Sequence, residues 1–174
     1  MNHAHLTLRP WRLSDAAVLP GLIGDPAVQR NLRDGLPLPY TEEDARAFLT
    51  AMLAADPEEA FPFAIAWEDV AIGSLSLFRQ GNIHRCAAEL GYYLGRAYWG
   101  RGIMTWAVEA ACQWAFAHTD LLRIYAAPFA RNLSSCRVLE KAGFQLEGTL
   151  RQSAVKDGEV LDMKLYARLR DGRP

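Results

Sequence analysis

The chain has 174 residues, 19 Lys and Arg against 20 Asp and Glu, a formal net charge of −1, and 51% hydrophobic residues. That length suits one domain with a substantial core, read as residues 1–174, and leaves little room for a second. A near-neutral charge without any block of Lys or Arg argues against broad nucleic-acid or anionic-membrane binding as the main role, and no apolar run is long enough to span a bilayer.

The start, Met-Asn-His-Ala-His, lacks the charged and apolar regions of a signal peptide, so a cytoplasmic protein is expected. Cys86, Cys112 and Cys136 are odd in number and show no C-x-x-C spacing, which predicts reduced thiols. His3, His5, His84 and His118 make no metal-ligand pattern, and no metal is expected; the His3-Ala-His5 pair reads as a solvated terminus.

In chain order, Leu6-Thr-Leu-Arg-Pro-Trp11 alternates and closes at Pro10, predicting a first strand. Ser14 and Asp15 offer an N-cap for a helix with apolar Val18, Leu19, Leu22 and Ile23, and Pro20-Gly21 predicts a kink or break inside it. Asp25-Pro26 starts a further short helix, with proline in the tolerated first turn. The run Arg33-Asp-Gly-Leu-Pro-Leu-Pro-Tyr40 reads as a loop of the kind that carries substrate contacts. Thr41 with Asp44 resembles a capping box, and Ala45, Phe48, Leu49 and Met52 form the apolar stripe of the next helix. Phe61, Phe63, Ile65 and Trp67 alternate, and Glu68-Asp69 turns the chain into Val70 to Phe78, an antiparallel hairpin. Gln80-Gly-Asn82 turns it again.

The stretch from Glu89 to His118 organises the rest. Leu90, Tyr92 and Leu94 alternate with Glu89, Gly91 and Tyr93, so one strand face is apolar and the other carries a carboxylate. From Ile103 to His118 neither Gly nor Pro interrupts, and the polar Thr105, Glu109 and Gln113 form one narrow stripe, predicting a helix buried over most of its surface. Between strand and helix, Tyr98-Trp99-Gly100-Arg101-Gly102 combines two glycines, the unpaired first amides of a helix, its positive dipole end and the Arg101 charge. These attributes make an anion site or, more plainly, a structural turn.

Further on, Leu122 to Ala127 reads as a buried strand ended by Pro128, and a helix from about Leu133 to Ala142 is closed by Gly143. Two last strands, about Phe144 to Ala154 and Glu159 to Arg168, meet at Lys156-Asp157-Gly158. The whole reads as an α/β (α+β) mixed sheet, antiparallel in its first half, with helices on both faces.

Tyr98-Trp99-Gly100-Arg101-Gly102, the helix behind it, and then Asn132-x-x-Ser135-x-x-Val138-Leu139-Glu140-Lys141-x-Gly143-Phe144 resemble the GNAT superfamily of N-acetyltransferases, most of all its ribosomal-protein N-terminal (RimJ/RimL-like) branch. The similarity runs from Leu6-Thr-Leu-Arg9-Pro to Leu165-Tyr166-Ala-Arg168. It implies a sheet of about seven strands in which the Glu89 and Leu122 strands splay to admit the arm of acetyl-CoA. The implied cofactor contacts are Gly100, Arg101, Gly102, Ile103 and Met104, largely through backbone, with Tyr92, Leu94, Arg96, Asn132 and Ser135. A homodimer is a further implication. The family's loop pattern, Gln/Arg-x-x-Gly-x-Gly/Ala, is met here by Ala97 at its first position with Arg96 one residue early. That departure keeps the loop amides and bears on the side-chain phosphate contact.

Acetyl transfer needs a neutral amine, a polarised thioester carbonyl and a proton for the departing thiolate. An α-amine titrates near 7.7–8.0 and a lysine near 10.4, so deprotonation at pH 7 costs roughly 1 against 4–5 kcal/mol. Glu89 is the candidate base, directly or through a water; its other use is an ordinary salt bridge or hydrogen bond. Ser135 matches the motif serine proposed to protonate the coenzyme, or caps its helix. Asn132 matches the position that bonds the cofactor arm, or makes an Asx turn. Some members of the branch carry an acid where this chain has Ala154, which shifts weight onto Glu89. Cys136 has no His or basic partner in sequence and reads as packing, not as a covalent nucleophile. Tyr93, Tyr98 and Trp99 read as packing or cofactor-wall residues, and His84 as solvated. The acceptor is then a protein N-terminus or small primary amine; the alternatives are a polyamine or aminoglycoside-like acceptor, or a non-catalytic acyl-CoA sensor.

Overall fold

The computed structural model describes residues 5–54 and 56–172; the readings placed on His3 and on the segment before His5 lie outside them. The strands are β1 (Leu6–Arg9), β2 (Ala60–Trp67), β3 (Val70–Arg79), β4 (Ala87–Leu94), β5 (Arg123–Ala126), β6 (Gln145–Lys156) and β7 (Glu159–Leu169). They form one seven-stranded sheet in the order β1-β2-β3-β4-β5-β7-β6. β1 is antiparallel to β2, β4 is parallel to β5, and β7 is antiparallel to both β5 and β6, so the sheet is mixed as expected. The helices are α1 (Leu19–Ile23), α2 (Pro26–Gln29), α3 (Glu42–Leu53), α4 (Ile103–His118) and α5 (Leu133–Lys141).

Both predicted hairpins form at their predicted turns. Glu68 and Asp69 take φ of +47° and +69°, and Asp157 and Gly158 take +53° and +79°. Two successive left-handed residues give the turn whose twist matches the flanking strands, and Asp and Gly tolerate that backbone best.

Residues segregate into two compact groups, one running to Ser76 and joined by Tyr92–Ile103, the other made of Leu77–Gly91 and the chain from Met104. In the first, Trp11, Leu19, Leu22, Tyr40, Leu49 and Ala64 share a buried core. Each fully buried Leu there contributes roughly 1.5–3 kcal/mol. The Thr41 box is reciprocal: Asp44 N–H donates to Thr41 Oγ1 at 3.2 Å and Thr41 N–H to the Asp44 carboxylate at 2.8 Å. The helix expected from Ser14 is instead a 3-10 helix, Leu13–Ala17, followed by α1. The break falls at Val18, ahead of Pro20-Gly21, because Pro20 occupies the first turn of α1, where its missing N–H costs nothing. Asp15 does not cap a helix in the expected way; its carboxylate is held by Arg9 at 2.7 and 2.8 Å and by the Arg12 N–H at 2.9 Å.

In the second group α4 spans the predicted residues, with Ala107, Val108, Ala111, Cys112 and Ala115 fully buried and only its Gln113, Ala117 and His118 exposed. Burial pushes the Cys112 thiol up to about 12, which leaves it unreactive. All three cysteines are free, and Cys136 is buried as packing. α5 ends where expected: Gly143 is left-handed at φ +81°, and the Phe144 N–H closes on the Leu139 carbonyl at 3.0 Å. The buried Tyr166 hydroxyl of β7 donates to the Glu140 carboxylate at 2.8 Å and ties α5 to the sheet.

Candidate functional site

The loop entering α4 is built by its glycines. Gly100 and Gly102 both have φ of +73°, a backbone that side chains with a Cβ rarely adopt. A Cβ added at either would meet nothing within 4 Å, so this loop faces open space. Arg101 is exposed, its guanidinium 5.9 Å above the Tyr98 ring. Ile103 and Met104, which open α4, are buried, and the first N–H groups of a helix have no partner within it. The loop therefore offers helix-terminal amides, a dipole end and a cation without any backbone obstruction, a cradle suited to a diphosphate.

Just upstream, a 3-10 helix, Arg96–Tyr98, follows β4. The Trp99 indole N–H donates to the Leu94 carbonyl at 2.7 Å, and the Gly95 N–H to the Ile72 carbonyl at 2.9 Å, pinning the loop's base to the sheet. A Cβ at Gly95 would come within 2.5 Å of the end of the Leu22 side chain and 3.3 Å of the Ile72 carbonyl oxygen, so a larger residue there would displace Leu22. Arg96 is exposed and lies 3.8 Å from the Asp25 carboxylate, across a cleft of about 520 Å³ lined by Gly21, Leu22, Asp25 and Gly95 to Tyr98. Sequence reasoning placed Arg96 toward the cofactor and missed Asp25, whose separation in the chain gives no periodic signal.

Glu89 is half-buried and stands opposite Tyr125 in the last registered pair of β4 with β5. The ladder consists of Ala87, Ala88 and Glu89 against Arg123, Ile124 and Tyr125, and stops there, short of the β4 end at Leu94. A ladder that ends before β4 does is what the expected splay requires. Tyr92 is half-buried and Leu94 buried.

Asn132 is the N-cap of α5: its side-chain oxygen accepts the Ser135 N–H at 3.2 Å, and its own N–H donates to the Phe129 carbonyl at 2.8 Å. The Asx reading of Asn132 is thus present in the structure. Ser135 is half-buried in the first turn, with its amide held by that cap. Ala154 lies in β6 just beyond a register shift that begins after Leu150. Gln152 in this bulge has φ +52°, and its N–H donates to the Asp162 carboxylate at 2.8 Å. Asp162 also accepts the Ala130 N–H at 2.8 Å through its backbone carbonyl, fixing the segment before α5 to the hairpin. The alternation of β6 gave no warning of this bulge. His84 is exposed, as expected. Among the described residues no cluster of His, Cys, Asp or Glu could hold a metal ion, and no helix is long and apolar enough to cross a membrane.

Comparison with known proteins adds a family. Residues 5–145 match the family model described as an acetyltransferase (GNAT) domain. The chain is 40% identical over 133 residues to the probable N-acetyltransferase YjcK of Bacillus subtilis, covering 75% of this chain and 74% of that protein. It is similar in structure to the ribosomal-protein-S5-alanine acetyltransferase of Vibrio fischeri, with a TM-score of 0.87, 26% identity, and coverage of 100% and 98% of the two chains. It is also similar to a RimL ribosomal α-N-protein acetyltransferase solved with coenzyme A, at TM-score 0.84, 25% identity, and 96% and 95% coverage.

Proposed function

The chain belongs to the acetyltransferase (GNAT) family as an acetyl-CoA-dependent N-acetyltransferase, and from that premise we propose that it acetylates protein N-terminal α-amines by direct attack, with Glu89 and Ser135 handling the protons. The observation that carries the cofactor side is the open loop with its two left-handed glycines at the head of α4. Gly100, Arg101, Gly102, Ile103 and Met104 would hold the diphosphate of acetyl-CoA, chiefly through N–H groups, and Asn132 would meet the pantetheine arm. Bound there, acetyl-CoA supplies an activated thioester carbonyl.

The amine nitrogen bonds to that carbonyl carbon as the carbon–sulfur bond breaks. Glu89 takes the proton the nitrogen loses, and the Ser135 hydroxyl gives one to the departing thiolate, recovering it from solvent. An α-amine suits a single carboxylate: its deprotonation at pH 7 costs roughly 1 kcal/mol, against 4–5 for a lysine. The relatives named as ribosomal-protein acetyltransferases support a protein N-terminus. Ala154, where some of that branch carry an acid, argues that the protein acetylated here need not be ribosomal.

Coenzyme A release, measured with peptides bearing a free α-amine, N-blocked lysine peptides and spermidine, tests the reading. The free-amine peptides are expected to lead. Glu89→Gln should lower turnover about 100-fold or more while acetyl-CoA affinity is unchanged. Wild-type-like turnover near neutral pH would remove Glu89 from the mechanism. Preference for spermidine would move the acceptor to small amines, and tight acetyl-CoA binding without release on any amine would make the protein a sensor.

A further inference from the structure

Side-chain oxygens and nitrogens sealed from water without a partner are few in a folded protein, and each calls for a reason. The Tyr93 hydroxyl is one. Two others lie in the same half of the chain. Arg9 Nε lies 3.2 Å from an Asp69 carboxylate oxygen, and the Trp11 indole is a core ring packed edge-on against Phe48. Tyr93 differs from both because its oxygen could be deleted without loss of shape. Phenylalanine would fill the same space with no unmet hydrogen bond, so the fold by itself gives the hydroxyl no use.

Its surroundings suggest one. Tyr93 packs on the core of Trp11, Leu22, Tyr40 and Leu49, and Leu32 and Leu36, which flank the start of the irregular segment ending at Tyr40, pack on that same core at its margin. That segment is the stretch whose composition marks a substrate-contacting loop. Alternation along β4 puts Tyr93 on the side of the strand that bears Glu89. Burial, with the neighbouring Tyr40, pushes the phenol above its ordinary value of 10.0, so it remains a protonated donor throughout the working range.

We propose that the Tyr93 hydroxyl donates a hydrogen bond to a backbone carbonyl of the acceptor peptide, reached when the side chains at the margin of this core give way, and so selects peptides over simple amines. This rests on the α-amine reading above. A hydrogen bond made by a phenol in apolar surroundings is stronger than one made in water, and a peptide has carbonyl oxygens to accept it whereas a polyamine has none.

Tyr93→Phe tests it, with three readouts beside wild type. The KM for a free-amine peptide should rise about tenfold, the worth of one desolvated hydrogen bond, with kcat at saturating peptide, acetyl-CoA affinity and the KM for spermidine unchanged. The thermal midpoint should equal or exceed that of wild type. An unchanged peptide KM overturns the proposal, as does a lowered midpoint, which would give the hydroxyl to the fold, or a loss of acetyl-CoA affinity, which would give it to the cofactor. Wild-type protein that releases no coenzyme A with any peptide brings down the α-amine reading beneath it instead. An active wild type with an indifferent Tyr93→Phe brings down the Tyr93 role alone.

Discussion

Asn132 and Ser135 stand one helical turn apart, and either could have capped α5. The structure gives the cap to the Asn132 side chain, which accepts the Ser135 N–H. Ser, Asn and Asp are nearly equal as caps, so residue type could not decide between them; position in the turn does. The division can be tested by two substitutions. Asn132→Ala should cost about 1 kcal/mol of stability, whereas Ser135→Ala should cost less in urea denaturation yet lower kcat. Ser135→Ala that is the more destabilising of the two, with kcat intact, would return Ser135 to a structural role. Cys136, next in sequence, is buried with a free thiol, in keeping with the packing role its lack of a basic partner predicted.

At the scale of elements, whatever depends on neighbours in sequence was legible. The Thr41 box, the ends of α4, the stop at Gly143 and the turns at Glu68-Asp69 and Asp157-Gly158 are all decided within a few residues. Pro20 misled because proline both breaks helices and starts them, and only the register of the preceding 3-10 helix decides which. The bulge at Gln152 was hidden for a different reason. It depends on Asp162 across the hairpin, and an exposed strand with weak alternation does not announce a shift.

The loop before α4 makes the sharpest element-level prediction. Because a Cβ at Gly102 would touch nothing within 4 Å, any loss of ligand affinity from a side chain there must come from the ligand or from backbone strain. Gly102→Ala and Gly102→Val separate these. Both should lose about 1–3 kcal/mol of stability to the left-handed φ. The valine should weaken acetyl-CoA binding by at least about tenfold by calorimetric titration, and more than the alanine does, because its methyls occupy the space proposed for the diphosphate. Equal, wild-type-like affinities in both variants would move the cofactor elsewhere.

Across the whole molecule, strand order is the property least visible in the sequence. The parallel β4–β5 pair and the placement of β7 between β5 and β6 join residues far apart in the chain, and no local pattern encodes them. The resemblance carried by the glycine loop and the Asn132 motif anticipated only that β4 and β5 are neighbours; the parallel sense of that pair and the placement of β7 were not foreseen.

Charge adds a global consequence that composition concealed. A net charge of −1 looks indifferent to pH. Yet Asp15, Asp44, Asp69, Asp120 and Glu147 all titrate below their ordinary values through contacts in the fold. Only Asp15 is buried. Its burial opposes ionisation, but the hydrogen bond from Arg9, the Arg12 N–H and the two guanidinium charges outweigh it. A carboxyl whose folded-state pKa is depressed stabilises the fold fully above the unfolded value, here 3.8, and loses that contribution as pH falls through the lower folded value. Urea midpoints should therefore be level from about pH 6 to 8 and decline below about pH 4. Asp15→Asn should cost about 3 kcal/mol at pH 7, since it leaves the buried Arg9 without its closest counter-charge. The gap between variant and wild type should narrow as acid protonates the wild-type carboxylate. A gap that stays constant down to pH 2 would show that Asp15 acts through packing and hydrogen bonds common to Asp and Asn, not through its charge.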